Sequence, residues 1–328
     1  MIPHNKVCLT AEDEHAVARV VESGQIGQGR NVFFFEDELA ERFRPGGAAV
    51  CVSSGTAALM LAIDALRLGE VTLPTYACIA LYHAAIAAGD VRRVRFVDCA
   101  PTTLCSGRTS AVVHTYGSPC NAIGSPVEDF THAPGGEYSD KRCGSMGKLS
   151  VISFGATKPL GCGGGGAVLG PEDLIEQIRD QRDYDGKREF GRRFNWEMSE
   201  FHAAIGRNRL KRLDAENAWR RETAHRYTEV CRDNGVPDYA SADSTFYRLV
   251  IKVPDTGRAK AWFAARGVET IVPLEPWELI HSQLGIADHF PAAEDAAAHA
   301  LSLPIWPGME PKDVDDAVAA LRQIGDMP

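Results

Sequence analysis

Three separated stretches of this 328-residue chain hold side chains that could do chemistry together. In SVISFGATKPLGCGGGG, Lys158 lies in a Gly-dense loop directly after an apolar run. A lysine held among Gly and Pro beside buried strands is short of water, which favours the neutral, nucleophilic amine. Taken singly, a loop lysine is more often just solvent-exposed. In PVEDFTHAPGG, Asp129 follows an apolar strand and is expected near its C-terminal end, the usual ligand edge of an open α/β sheet. Capping of the next turn is its plain alternative. The third stretch, Ser53-Ser54-Gly55-Thr56-Ala57-Ala58-Leu59, reads as a small turn at a helix N-terminus. Free backbone N–H groups and the helix dipole suit a phosphate there, although such residues also cap helices with no ligand.

Jointly, a phosphate cradle, an acid able to hold a pyridinium N–H and an amine able to form an imine are what pyridoxal phosphate (PLP) demands. Their order, phosphate turn, then Asp129, then Lys158, is that of the large domain of fold-type I PLP enzymes. The surrounding elements fit that α/β class. AAVCVSSGTAALMLAIDALRLG passes from a buried strand through the turn into an apolar helix, and VTLP, VRFVD, AVVHTYG, PVEDF, LSVISF and GAVLG read as further strands of a largely parallel sheet. Only SPCNAIGS separates the strand ending at Gly117 from the next, too little for a helical crossover. Helices are expected over 11–23 and 36–43, and a basic helix carries Arg207, Arg209, Lys211, Arg212, Arg220 and Arg221, read as a solvated or subunit-facing surface ahead of a phosphate-binding patch. FYRLVIKV and VETIVPL read as strands, RAKAWFAARG and PKDVDDAVAALRQIG as helices. The expected division is a large cofactor domain over 1–215 and a small α+β domain over 216–328.

Composition removes other classes. Hydrophobic residues at 45% and charged residues at 24% exclude a disordered chain. A net charge of −9 opposes nucleic-acid or anionic-membrane binding. The first twenty residues lack an apolar signal core, and no run reaches the roughly 18 apolar residues of a membrane helix. Nine scattered cysteines with no C-x-x-C pair fit free thiols in a reducing cytosol, with neither a zinc site nor a disulfide framework. His83, His114 and His202 read as structural, His281 as an open substrate-side candidate, and Trp277 and Trp306 as core or interface packing. GCGGGG is a poor dinucleotide turn, because it leads into a strand, AVLG, and not a helix.

SGQIGQGRNVFFFEDELA, SSGTAAL, VEDFTHAPG, SFGATKPLGCGGGGAVL, FNWEMSEFHAAIG and LSLPIWPGMEPKDVDDAVAALR together resemble the DegT/DnrJ/EryC1/StrS sugar aminotransferases along nearly the whole chain. Lys158 follows Asp129 by 29 positions, a spacing similar to the family's. The resemblance implies that Lys158 forms the internal aldimine and shuttles the proton, while Asp129 keeps the cofactor's ring nitrogen protonated. It places His132 by the ring and its 3-oxygen. Gly55, Thr56 and Ser153, with Ala57 in the same turn, would hold the phosphate. Asn195 would reach the phosphate of the neighbouring subunit, which implies a homodimer with shared active sites. The implied reaction moves an amino group from glutamate to a keto sugar, typically nucleotide-linked, through PLP and its amine form PMP.

Departures from the family pattern also stand out. Cys78 occupies the place of an aromatic residue stacked on the cofactor ring, with Tyr76 either compensating or simply core. Gly163-Gly164-Gly165-Gly166 replaces G-E-G-G, and Glu197 replaces an Arg. The chain is also short for the family. A PMP-dependent sugar dehydratase of the same fold is opposed by Lys158, where the similar dehydratases carry His. A non-catalytic regulator or partner subunit of this fold is the remaining alternative.

Overall fold

The computed structural model describes residues 1–101 and 109–327. The chain begins with α1 (Ala11–Ser23) and α2 (Arg30–Phe43), then β1 (Ala48–Val52), α3 (Gly55–Ala65), β2 (Glu70–Pro74), α4 (Ala80–Ala87) and β3 (Arg93–Val97). Next come β4 (Ala111–Val113), β5 (Val127–Asp129), a small hairpin of β6 (Glu137–Tyr138) and β7 (Lys141–Arg142), then β8 (Leu149–Ser153) and β9 (Gly166–Gly170). α5 (Glu172–Arg182) and the 34-residue α6 (Glu200–Asp233) follow. The remainder comprises β10 (Leu249–Lys252), α7 (Thr256–Ala264), α8 (Ile280–Gln283), α9 (Pro291–His299), β11 (Ala300–Leu303) and α10 (Pro311–Arg322).

The main sheet has the order β1-β9-β8-β5-β4. β4, β5 and β8 are parallel, and β9 runs antiparallel to both β8 and β1. The parallel β2–β3 pair extends it beyond β4, where Ser110 N–H donates to Thr72 O at 2.7 Å. The expected largely parallel sheet is therefore mixed at its β1 side. Its strands alternate between two cores, as a doubly covered sheet requires. Val50, Val52, Leu149, Val151 and Val168 pack under α3, while Ala49, Cys51, Ile152, Ala167 and Leu169 pack under α2.

Between β4 and β5 the chain makes only a 3-10 turn at Thr115–Gly117, as its shortness requires, so β4 stops at Val113 and not at Gly117. The last third packs α6, α7 and α10 on the antiparallel β10–β11 pair. There VETIVPL forms no strand beyond isolated bridges from Val268 to Ile2 and from Ile271 to Ser302; β11 takes the place beside β10. α6 runs unbroken through residues 215 and 216, where the sequence divides into its two expected parts.

The basic stretch on α6 is mostly not a solvated face. Arg209 and Arg220 are each only 5% exposed and share Glu216, while Arg207 pairs with Glu38 and Arg212 with Asp13. The helix thus clamps α1 and α2 through ion pairs. Seven cysteines are free thiols; Cys99 stands in a disulfide, contrary to expectation, and Cys105 lies outside the described residues. Among the described residues no helix is long and apolar enough to cross a membrane.

Candidate active site

A cavity of about 540 Å³ opens at the C-terminal ends of β4, β5 and β8. Gly55, Thr56, Cys78, Asp129, His132, Ser153 and Lys158, seven of the residues singled out from sequence, border it. Ala57 does not: it is buried in the core, its N–H donating to the Ser54 cap at 3.1 Å. Asn195 also lies away from this cavity, in the stretch that bridges to Asp183.

The first turn of α3 forms one wall. Ser54 satisfies the N–H of Ala57, and the N–H groups of Gly55 and Thr56 have no partner within the helix. Gly55 is required by contact, since a Cβ there would meet the Ser153 Cβ at 2.6 Å. That close approach puts the Ser153 hydroxyl beside the helix N-terminus, a combination suited to a phosphate.

β5 supplies the floor. Asp129 ends the strand, level with Val113 of β4 and Val151 of β8. Its carboxylate accepts from Thr131 N–H at 3.0 Å, and the Thr131 hydroxyl accepts from Ser153 N–H at 3.0 Å. Thr131 thereby fixes Asp129 against Ser153, a role the sequence did not signal.

Lys158 sits on a tight turn closed by Lys158 N–H to Gly155 O at 2.9 Å and Gly161 N–H to Lys158 O at 2.7 Å. Its amine donates to His132 Nε2 at 2.9 Å. The His132 ring stacks on Tyr247, centroids 4.4 Å apart, and Lys158 Nζ lies 5.5 Å from the centre of the Tyr247 ring. Burial, and then the positive charges of Lys158, Arg248 and His114, hold His132 well below the ordinary histidine range. The neutral ring, accepting from Lys158 at Nε2, carries its proton on Nδ1, which is buried without a partner. From behind, Arg209 donates to Pro159 O and Cys8 O, each at 2.9 Å, pinning the lysine turn to the N-terminal segment.

The far end of the cavity is built by Tyr76, Tyr116, Arg248, Leu274, Glu278 and Gln283. Tyr76 is both core and cavity wall, and its hydroxyl bonds that of Tyr116. Tyr247 and Arg248 were missed from sequence, although a charged residue inside the apolar run FYRLVIKV is a visible irregularity.

Among the histidines, His114 is structural: its Nε2 meets Glu128 at 3.0 Å and its Nδ1 accepts from Cys120 N–H at 3.1 Å. His202 packs under the glycine loop, where a Cβ on Gly164 would approach its ring at 3.2 Å. His281 is buried against Phe290, away from the cavity. Trp306 is core, as expected, whereas Trp277 is 68% exposed in the chain.

The donors and cradle fit a phosphorylated pyridine. The helix N-terminus with Ser153 offers an anion site, Asp129 an acid at the floor, and the orphaned His132 Nδ1 a donor beside Lys158.

Residues 7–322 match the model of the DegT/DnrJ/EryC1/StrS aminotransferase family. The chain is 30% identical to dTDP-3-amino-3,4,6-trideoxy-alpha-D-glucose transaminase of Streptomyces venezuelae, over 96% of this chain and 92% of that protein. It is 29% identical to dTDP-3-amino-3,6-dideoxy-alpha-D-galactopyranose transaminase of Aneurinibacillus thermoaerophilus, over 96% of this chain and 95% of that one. The crystal structure of S. venezuelae DesV with a ketimine intermediate superposes with a TM-score of 0.85 at 29% identity, covering 96% of this chain and 95% of DesV. The fold is that of the fold-type I PLP enzymes, and the chain belongs to the DegT/DnrJ/EryC1/StrS aminotransferase family as a sugar aminotransferase.

Proposed function

We propose that this transaminase takes an amino group from glutamate, or a similar amino acid, and delivers it to the carbonyl of a nucleotide-linked keto sugar. The observation that carries the reading is the Lys158 amine, held 2.9 Å from a neutral, half-buried His132 in a cavity it shares with Asp129 and the α3 N-terminus.

Bound PLP supplies an electron sink and a temporary carrier for the amino group. Lys158 is the amine that would bind the cofactor's aldehyde group and would carry the proton to and from the substrate carbon. His132 orients that amine and is itself kept in plane by Tyr247. Asp129, fixed by Thr131, would hold a proton on the ring nitrogen. Gly55, Thr56 and Ser153 take the phosphate, and Cys78 borders the cavity where a ring would lie. Asn195, off the cavity of its own chain, is suited to reach the site of a partner in a homodimer. The seven free thiols accord with a cytosolic setting, and the Cys99 disulfide stands against it.

The test is a visible absorption spectrum of the PLP-loaded protein, before and after glutamate, in wild type and in Lys158→Ala. Wild type should show a cofactor band that glutamate bleaches, and Lys158→Ala should lose turnover altogether. A band that no amino acid changes would replace this reading with a cofactor-binding regulator or partner subunit.

A further inference from the structure

A second, much smaller cavity of about 20 Å³ lies behind the lysine turn, and Lys158 lines both it and the larger one. Every charged residue that lines it is basic: Lys6, Lys158, Arg209 and Arg220. Thr157, Tyr247, Cys8 and Trp306 stand in the same wall.

α6 supplies the two arginines. Arg209, Glu216 and Arg220 stand at i, i+7 and i+11, so one face of the helix carries all three. Glu216 bonds Arg209 at 3.0 Å but lies 3.8 Å from Arg220, beyond hydrogen-bond length. Each guanidinium is only 5% exposed, and one carboxylate between two of them leaves a positive charge over. Arg220 has five donors and makes one hydrogen bond among the described residues, to Asn217 Oδ1 at a long 3.3 Å. The Nε atoms of Arg209 and Arg220 are both buried without a partner. Burial above all, against the attraction of Glu216, brings Arg220 down to about 10. The protein keeps a buried cation here that its own side chains do not satisfy.

We propose that the small cavity is a binding site for one monoatomic anion, of the size and charge of chloride, held between Arg209 and Arg220 behind the lysine turn. Its volume sets the size, since one water-sized particle needs roughly 10–15 Å³ and a phosphate or carboxylate needs far more. Charge selects the anion over water, which could accept from an Nε but brings nothing to balance the guanidinium. The other polar groups of the wall are engaged elsewhere. Cys8 donates its thiol proton to Pro307 O at 2.7 Å. Burial alone would raise the Tyr247 phenol, yet Lys158 and Arg248 bring it below the ordinary tyrosine range, and Thr157 and Arg248 bond its oxygen. Arg209 already holds Cys8 O and Pro159 O, so the anion completes a joint between the N-terminal segment, the lysine turn and α6.

Two measurements on the full chain, with and without PLP, test the site. Crystals soaked in sodium bromide should show an anomalous peak between the two guanidinium groups; water density there without a bromide signal overturns the assignment. In solution, thermal unfolding is followed as sodium chloride replaces sodium gluconate, an anion too large for the cavity, at constant ionic strength. The melting temperature should rise and level off, as binding to the folded chain alone requires. Arg220→Gln should move the chloride midpoint up by about 10- to 100-fold, as loss of a charge-assisted contact predicts. Arg221→Gln, on the exposed side of α6, should leave it within about 2-fold. A flat response to chloride in wild type marks any bromide peak as binding at crystal concentration only and overturns the site, as does an unchanged midpoint in Arg220→Gln. Should Arg220→Gln fail to fold, the bromide experiment on wild type decides. A tyrosinate absorption band at neutral pH that Tyr247→Phe abolishes would make Tyr247 the counter-charge and overturn the proposal from within the protein.

Discussion

Glu128 and Asp129 are neighbours on β5, and the alternation of the strand sends them to opposite sides of the sheet. Glu128 is fully buried and saturated. It accepts from the N–H groups of Gly144, Met146 and Gly147 at 2.7, 2.8 and 2.9 Å, from the Ser150 hydroxyl at 2.9 Å and from His114 at 3.0 Å. Asp129, on the cavity side, accepts one hydrogen bond among the described residues. Burial alone would raise the Glu128 carboxyl, yet the His114 contact and the N–H donors of Gly144 and Gly147 bring it below the ordinary glutamate range. Two adjacent carboxylates thus do different work. One closes a buried loop with no capacity to spare, and the other keeps its capacity for a ligand. The arginines repeat the division: Arg209 is tied to Glu216 and two carbonyls, while among the described residues Arg248 has no carboxylate within ion-pair distance.

The sharpest way to break this contrast is a pair of isosteric substitutions. Glu128→Gln should cost about 3–5 kcal/mol of folding stability, because an amide turns N–H groups toward donors in a buried nest. Asp129→Asn should lower turnover about 100-fold or more, with unfolding in urea shifted by under about 1 kcal/mol. An Asp129→Asn protein as unstable as Glu128→Gln would erase the distinction. The pH dependence carries the same sign. With its folded pKa depressed, Glu128 binds fewer protons in the native than in the unfolded chain. Its stabilisation is therefore present above the ordinary glutamate value of 4.5 and lost as pH falls through the lower folded value. Wild type should lose stability along that acid limb, and Glu128→Gln should flatten it.

A smaller effect separates the two arginines. Arg209→Gln removes the donors to Cys8 O, Pro159 O and Glu216, and should cost about 2–3 kcal/mol by urea unfolding. Arg248→Gln should cost under about 1 kcal/mol by the same measurement. Equal losses would mean that Arg248 is structural after all.

The sequence made one side of this contrast far easier to see than the other. Lys158, Asp129 and the Gly55-Thr56 turn stand on short local signals, a Gly-rich loop or the end of an apolar strand, His132 and Ser153 came only through the family resemblance, and the fold brings all of them to one cavity. The strand-turn-helix around Gly55 was legible because the apolar run and the small-residue turn are contiguous. The saturated side was not legible, since Glu128 looks like any strand carboxylate until Gly144 to Gly147 fold back over it, and Arg209 and Arg220 look like surface charge until Glu216 is placed between them. β11 escaped notice for a related reason. Ala300–Leu303 becomes a strand through its pairing with β10, a contact made across 48 or more positions of chain, while VETIVPL has the better local composition and makes only two isolated bridges. Tyr247 and Arg248 fell between these cases, with one odd residue in an apolar strand as their signal.

The weakest effect tests whether the open side can accept more. Cys78 presents an exposed, free thiol to the cavity, at a position where the family resemblance implies an aromatic ring against the cofactor. Replacing it with Tyr adds a ring on a side of the cavity where protein partners are few, so the gain should go to the ligand and not to the fold. Ring stacking adds about 0.5–1.5 kcal/mol, which corresponds to roughly 2- to 10-fold slower loss of PLP on dilution. The melting temperature of the cofactor-free protein should stay unchanged, because the new ring has no buried partner to complete. A rise in that melting temperature would show that the wall around Cys78 lacks a structural group and not a ligand-facing one. Unchanged cofactor retention would instead assign the covering role to Tyr76, already fixed through Tyr116, and would move the open face of the cavity from Cys78 to the Arg248 end.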